Sequence, residues 1–112
     1  MSTFKDDILS AVEGSPIEAV VLGSKGWDEI YMYNEEDERV PVPWPTGEVI
    51  PWEEALPFLE YDFDRGYGGP ECHAIYVWTK DRVFFVSQYD GSTGIESIPR
   101  NPTDELPSMP GG

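Results

Sequence analysis

Residues 72–89 read CHAIYVWTKDRVFFVSQY, two runs rich in β-branched and aromatic residues that meet at a Lys-Asp pair at 80–81. Such runs, joined by a short polar turn, are typical of a β-hairpin. An Asp-Gly pair at 90–91 predicts a second turn into a weaker strand near residues 95–98. This part of the chain therefore predicts an antiparallel meander.

Both faces of the predicted meander are apolar. In an alternating strand, Ile75 and Val77 lie on one face, while Tyr76 and Trp78 lie on the other with Ala74. The next strand alternates in the same way and places Val83 and Phe85 opposite Phe84 and Val86. A sheet that is apolar on both sides needs cover on both, or leaves one side for a partner.

The chain begins with the pattern of a short amphipathic helix. Thr3 and Asp6 form a reciprocal cap, and Gly14 ends the helix after apolar residues at helical spacing, namely Phe4, Ile8, Ala11 and Val12. Ile17–Leu22 and Trp27–Tyr33 then predict two strands, and the glycine-bounded turn between them predicts that they form a hairpin.

The middle of the chain alternates charge with proline. Asn34–Arg39 predicts a charged loop, and the prolines that follow predict an extended segment without sheet hydrogen bonds, namely Pro41, Pro43 and Pro45. Pro51 suits the first turn of a second helix, which Pro57 keeps short or bent.

The whole pattern predicts a small α+β domain with an antiparallel meander sheet and two short helices. At 112 residues the chain fits one domain, and its 11 Pro and 11 Gly indicate many turns. We assign residues 1–100 to the compact domain and residues 101–112 to an extended or flexible C-terminal tail rich in Pro and Gly.

Negative charge dominates the composition. The chain has 22 acidic and 7 basic residues and a formal net charge of -15, with twelve carboxylates against Arg39 alone between residues 28 and 64. Such a field attracts basic partners and repels phosphates. It argues against direct binding to nucleic acid or to an anionic membrane, and no apolar run is long enough for a membrane span.

Cysteine and histidine are too few for several kinds of site. The single cysteine, Cys72, excludes an intrachain disulfide and favours a reducing cytoplasm, and residues 1–13 lack the apolar run of a signal peptide. One Cys and one His do not supply a zinc site. We expect no metal and no cofactor.

Three chemical alternatives remain open. Cys72 and His73 are adjacent, but neighbouring side chains on a strand point to opposite faces, which favours a structural role over catalysis. Two short segments, 62–64 and 90–92, place side-chain oxygens at the short spacing that suits a hard cation but lack the further ligands of a calcium loop. Paired carboxylates near aromatic residues also allow a small hydrolase.

The acidic stretch has two interpretations. It serves solubility alone, or it forms a docking surface in which carboxylates stand in for DNA phosphates and rings supply apolar anchors. On the second interpretation the candidate partner-binding residues are Glu35, Glu36, Asp37, Glu38, Trp44, Asp62, Asp64 and Tyr67.

Several motifs of the C-terminal half resemble a group of small acidic orphan proteins encoded by mycobacteriophages. They are AIYVWT at 74–79, VSQYDGST at 86–93, PRNP at 99–102, MPGG at 109–112 and, further upstream, DFDRGYG at 62–68. The N-terminal half fits the group loosely, and residues 34–45 depart from it. The resemblance carries no established activity and implies a phage protein expressed in the cytoplasm of a bacterial host.

We therefore expect a non-enzymatic phage accessory protein that binds a host protein, basic or DNA-binding, through an acidic surface studded with aromatic residues. A carboxylate-dependent hydrolase is the first alternative. The second is a self-associating structural protein whose homodimer buries the second apolar face of the sheet.

Overall fold

A computed structural model describes residues 3–25, 31–33, 35–63, 66, 72–89 and 92–107, and for 31–33, 39, 41 and 89 it describes the backbone only. Within these residues the chain forms helix α1 (Phe4–Val12), strands β1 (Ala19–Lys25), β2 (Tyr31–Tyr33) and β3 (Arg39–Pro41), helix α2 (Trp52–Ala55), and strands β4 (His73–Trp78), β5 (Arg82–Tyr89) and β6 (Ser92–Pro99). A single 3₁₀ turn, Leu56–Phe58, continues α2. The predicted small α+β domain is confirmed.

The main sheet is antiparallel and has four strands in the order β1-β4-β5-β6. The predicted meander is confirmed as β4, β5 and β6, although β6 is longer than predicted. The predicted Asp-Gly turn at 90–91 lies outside the described residues.

The predicted hairpin between the first two strands is wrong. Strand β1 pairs with β4, and β2 pairs with β3 in a separate sheet of two strands. Pro41 pairs with Tyr31 at the end of β3, contrary to the prediction that the prolines stay outside a sheet. A proline is tolerated in an edge strand at a position where the ladder requires no N–H donor.

Both helices cover the same face of the main sheet. We call it the core face, and its buried side chains are Val20, Leu22, Ile75, Val77 and Phe84. Against it lie Phe4, Ile8 and Val12 of α1, and Ala55 and Leu59 of the second helical segment. The opposite face, which we call the outer face, carries no helix among the described residues.

The predicted cap of α1 is confirmed. The Thr3 hydroxyl accepts a hydrogen bond from the Asp6 N–H at 3.2 Å, and the Asp6 carboxylate accepts one from the Thr3 N–H at 3.0 Å. These bonds hold the pKa of Asp6 below its usual range, the Thr3 N–H contributing most. At the other end Glu13 and Gly14 adopt left-handed backbone conformations, as helix termini commonly do.

Replacing Thr3 with alanine is expected to lower the free energy of unfolding by about 1 kcal/mol, because the Asp6 N–H loses its acceptor. Urea unfolding followed by circular dichroism measures the change. Thr3→Ser keeps the hydroxyl and is expected to remain close to wild type. Equal losses in the two variants would contradict a capping role for the hydroxyl.

The start of the predicted tail contacts the sheet. Residues 101–107 have no regular structure and are exposed. The two terminal guanidinium nitrogens of Arg82 donate hydrogen bonds to the Glu105 carboxylate, at 2.8 and 3.2 Å, and this pairing lowers the pKa of Glu105. Residues 108–112 lie outside the described part, so the flexible tail stays a prediction.

Candidate functional site

The acidic block at residues 35–38 lies at the tip of the hairpin formed by β2 and β3, which we call the acidic hairpin (residues 31–41). Glu35, Glu36, Asp37 and Glu38 are all exposed, and Asp37 makes the turn with a left-handed φ of 60°. Neither strand of this hairpin belongs to the main sheet. Four successive carboxylates are therefore presented to solvent on a separate element.

Trp44 attaches the base of the acidic hairpin to the main sheet. Its indole is half-buried, its ring meets the ring of His73 edge-on at 4.4 Å between centroids, and its Nε1–H donates a hydrogen bond to the Gly23 carbonyl at 3.0 Å. The register of β1 shifts between Leu22 and Lys25, which marks a bulge around Gly23. The candidate anchor for a partner is thus an internal contact of the domain.

The other described rings of the acidic stretch also pack inward. Tyr61 and Phe63 are half-buried, and both contact the Phe4 ring, with centroids 5.7 and 5.6 Å away. Asp62, between them, is exposed, and its carboxylate accepts a hydrogen bond from the Phe63 N–H at 2.9 Å. Asp64 and Tyr67 lie outside the described residues.

Tyr61 forms a hydrogen-bonded pair with His73, whose side chain is buried. The Tyr61 hydroxyl accepts a hydrogen bond from the His73 backbone N–H at 2.9 Å and lies 2.7 Å from His73 Nδ1. The tautomer of the neutral imidazole decides whether the hydroxyl donates to Nδ1 or Nδ1–H donates to the hydroxyl. The Nε2 atom of the ring is buried and has no hydrogen-bond partner among the described residues.

The environment keeps both groups neutral. Burial, and after it the charge of Lys25, lowers the pKa of His73 from 6.5 to about 4. Burial also raises the pKa of the Tyr61 hydroxyl above its usual range. The Lys25 ammonium lies 4.1 Å from the centroid of the Tyr61 ring, which is a cation–π contact.

The geometry does not pair Cys72 with His73 as nucleophile and base. Both side chains are buried, but Nδ1 of the imidazole faces Tyr61 and Nε2 is not hydrogen-bonded to the thiol. A nucleophile and its base need that contact. The described geometry therefore gives no nucleophile–base contact between these two residues.

Carboxylates also dominate the helical side of the domain. We call residues 3–16 and 51–63 the helix layer; in sequence it has one cation, Lys5, which bonds to Glu60 at 3.0 Å. Its seven carboxylates are Asp6, Asp7, Glu13, Glu53, Glu54, Glu60 and Asp62.

The outer face differs sharply from the helix layer. Its described positions are Ala19, Val21, Gly23, Ala74, Tyr76, Trp78, Val83, Phe85, Ser87, Ser92, Gly94, Glu96 and Ile98. Glu96 is the one charged residue in this set. Among the described residues, eleven carboxylates thus lie in the hairpin tip and the helix layer, while the outer face of the sheet carries one.

The described cavities offer little acid–base chemistry. A cavity of about 330 Å³ between α1 and β6 includes one carboxylate, Asp7, alongside Phe4 and Phe63. A larger one, about 610 Å³, lies on the outer face against Val21, Tyr76 and Phe85 and has no titratable lining group other than Tyr76. A paired-carboxylate cleft is not found at either cavity.

Within the described residues, no three His, Cys, Asp or Glu side chains are arranged to hold a metal ion. In the same part of the chain no helix has the length and apolarity to cross a membrane. Comparison of the chain with protein-family models, curated proteins and solved structures finds no match.

Proposed function

We propose that the protein is a non-enzymatic binding protein that engages a basic protein through carboxylates of the acidic hairpin and the helix layer. The observation that carries this proposal is the segregation of charge. Seven carboxylates and one cation belong to the helix layer and four more carboxylates to the hairpin tip, whereas the outer face has Glu96 alone. Surface carboxylates that served only solubility would not need to avoid one face of the protein.

The physical effect of such a surface is long-range attraction. Clustered charge raises the association rate of an oppositely charged partner, and the effect weakens as salt screens it. DNA-binding proteins are suited to this mode because their Lys and Arg side chains are placed to meet rows of phosphates. The proposed partner class is therefore a basic, DNA-binding host protein.

Trp44 has a positioning role in this proposal. Its ring contacts His73 and its N–H bonds to Gly23, so it holds the hairpin base while the tip carries the charge. The resemblance to mycobacteriophage proteins supports the setting that we propose, which is action in the cytoplasm of a mycobacterial host.

Neutralising the hairpin tip is expected to abolish capture of the basic partner. The variant carries Glu35→Gln, Glu36→Gln, Asp37→Asn and Glu38→Gln, and asparagine suits the left-handed φ at residue 37. Tagged wild type and variant are incubated with mycobacterial lysate at about 0.15 M salt, where exposed charges still interact within about 8 Å. Retained proteins are quantified by mass spectrometry.

The matched control removes the same number of charges outside the hairpin and the helix layer. It carries Glu48→Gln, Asp81→Asn, Glu96→Gln and Asp104→Asn, all at exposed positions. Basic proteins retained by wild type and control but lost at least about tenfold in the hairpin variant support the proposal. Capture of the same proteins by both variants, or of none by wild type, contradicts it.

A further inference from the structure

The outer face of the main sheet is an apolar surface that no described helix covers, and Thr46 and Gly47 border it beside β1. Tyr76 is 55% exposed and Ile98 is 53% exposed, and between them lie the half-buried side chains of Val83 and Phe85. In register, Tyr76 is opposite Phe85, and Val83 is opposite Ile98. The exposed apolar groups are therefore neighbours on three adjacent strands and form one continuous patch.

The size of this patch suits a protein interface. Four strands about 4.8 Å apart, with six to eight residues each at about 3.3 Å per residue, give a flat footprint of about 400 to 500 Å². This footprint is a large share of the roughly 800 Å² that each partner contributes to a stable interface, and the relief of the side chains adds to it. Apolar patches of a few hundred Å² are the largest on typical monomers and are often functional.

Charge limits where two copies of this chain can meet. A chain of net charge -15 repels its own copies wherever carboxylates would meet. On the outer face two copies meet with one carboxylate each, Glu96, and their acidic helix layers point away from each other. We infer that the outer face is the interface of a homodimer, in which the sheets of two copies pack face to face.

A two-fold axis parallel to the strands describes the contact. It places β4 of one copy against β5 of its partner, and β1 against β6, with the sheets about 10 Å apart. The largest side chains, Tyr76, Trp78 and Phe85, then fill the centre of the interface, and the smaller Ala19 and Gly94 lie towards its sides. Glu96 is on the edge strand, where its carboxylate reaches water at the rim.

The dimer would present two acidic hairpins to solvent. Two linked copies of a binding surface raise the apparent affinity for a partner with repeated sites, or for neighbouring partners on one DNA molecule. The inference does not rest on the proposed function, since the outer face and the acidic surfaces are different parts of the molecule. Dimerisation and partner binding are therefore tested by separate variants.

Sedimentation equilibrium of the purified chain over a wide concentration range tests the inference. Wild type is expected at twice the chain mass of 12.6 kDa. Tyr76→Glu and Ile98→Glu are each expected to weaken the dimer at least about a hundredfold, because each inserts an unpaired charge into the apolar contact. Their exposure in the single chain leaves its fold intact, which circular dichroism checks.

Two further variants make the test specific to this face. Leu106→Glu introduces the same kind of change at a residue that is 88% exposed in the 101–107 segment, and it is expected to leave the dimer unchanged. Glu96→Gln is expected to tighten the dimer several-fold by removing the charge at the rim. The inference is overturned if wild type is a monomer at every concentration, or if the dimer persists in Tyr76→Glu and Ile98→Glu. A monomeric wild type would assign the outer face to a different protein partner.

Discussion

Replacing Trp44 with alanine is expected to lower the free energy of unfolding by about 3 kcal/mol. Truncation of a buried Trp costs about 3 to 5 kcal/mol, and the half-buried position of Trp44 places it at the lower end. The loss has two parts: the ring no longer covers His73, and the Gly23 carbonyl in the bulge of β1 loses its donor. Urea unfolding followed by circular dichroism measures the sum.

Trp44→Phe separates these two parts. Phenylalanine keeps an aromatic ring over His73 but has no N–H, so we expect a loss of about 1 kcal/mol from the missing hydrogen bond. Amide exchange of residues 35–41 is expected to accelerate in Trp44→Ala more than in Trp44→Phe, because the hairpin base is released from the main sheet. If the free energy of unfolding of Trp44→Ala lies within about 0.5 kcal/mol of the wild-type value, the indole behaves as an ordinary surface side chain and does not anchor the hairpin base.

The parts of the fold that local pattern determines were predicted correctly. The cap of α1 depends on Thr3 and Asp6, which are three residues apart, and the faces of β4 follow from simple alternation. The short second helix also followed from one residue, because Pro57 interrupts it, and the chain continues there as a 3₁₀ turn. These features need information from only a few neighbouring residues.

Pairing over long distances was not predictable in the same way. Ala19 pairs with Trp78, which is far away in sequence, whereas the sequence pattern favoured the next strand along the chain as the partner of β1. Adjacent apolar strands carry the same alternation whichever strand they pair with, so periodicity does not select between them. The placement of β1 depends on the core that forms when both helices cover one face.

The roles of the aromatic residues were missed for a related reason. Trp44 lies among prolines and charges, and a tryptophan there looks like an exposed anchor until the bulge at Gly23 supplies a carbonyl for it. Tyr61 and His73 are twelve residues apart on different elements, and no spacing rule connects them. The one available signal was the position of His73 on the same face of β4 as Ile75 and Val77, which predicts a buried and therefore neutral imidazole.

Acidification is expected to destabilise the protein through His73 before most carboxylates titrate. The folded-state pKa of about 4 lies below the ordinary value of 6.5, so the unfolded chain binds the proton more readily. The stability linked to the neutral ring is complete above the unfolded value and is lost as the pH falls towards the folded value. The full loss is roughly 3 kcal/mol, because each unit of pKa difference corresponds to about 1.4 kcal/mol.

The structural cause is the surroundings of the ring. His73 is 1% exposed, Lys25 is the nearby charge that opposes protonation, and Nδ1 lies 2.7 Å from the Tyr61 hydroxyl. In the protonated ring both nitrogens are donors, so Nδ1 must donate to that hydroxyl. The buried Nε2 would then carry a proton that has no acceptor among the described residues.

His73→Gln isolates this contribution from the carboxylates. Between about pH 7.5 and about pH 5, wild type is expected to lose about 2 kcal/mol of unfolding free energy, whereas the variant has no imidazole to titrate and keeps only the small carboxylate change. The variant has a lower stability at neutral pH, so the slope against pH is the decisive quantity and not the absolute value. NMR titration of the His73 ring gives the folded-state pKa directly. Two results would contradict this prediction: a wild-type stability that changes with pH no more steeply than that of His73→Gln, or a His73 ring that titrates near pH 6.5 in the folded protein. Either result would mean that the imidazole reaches water and that the Tyr61–His73 pair does not shield it.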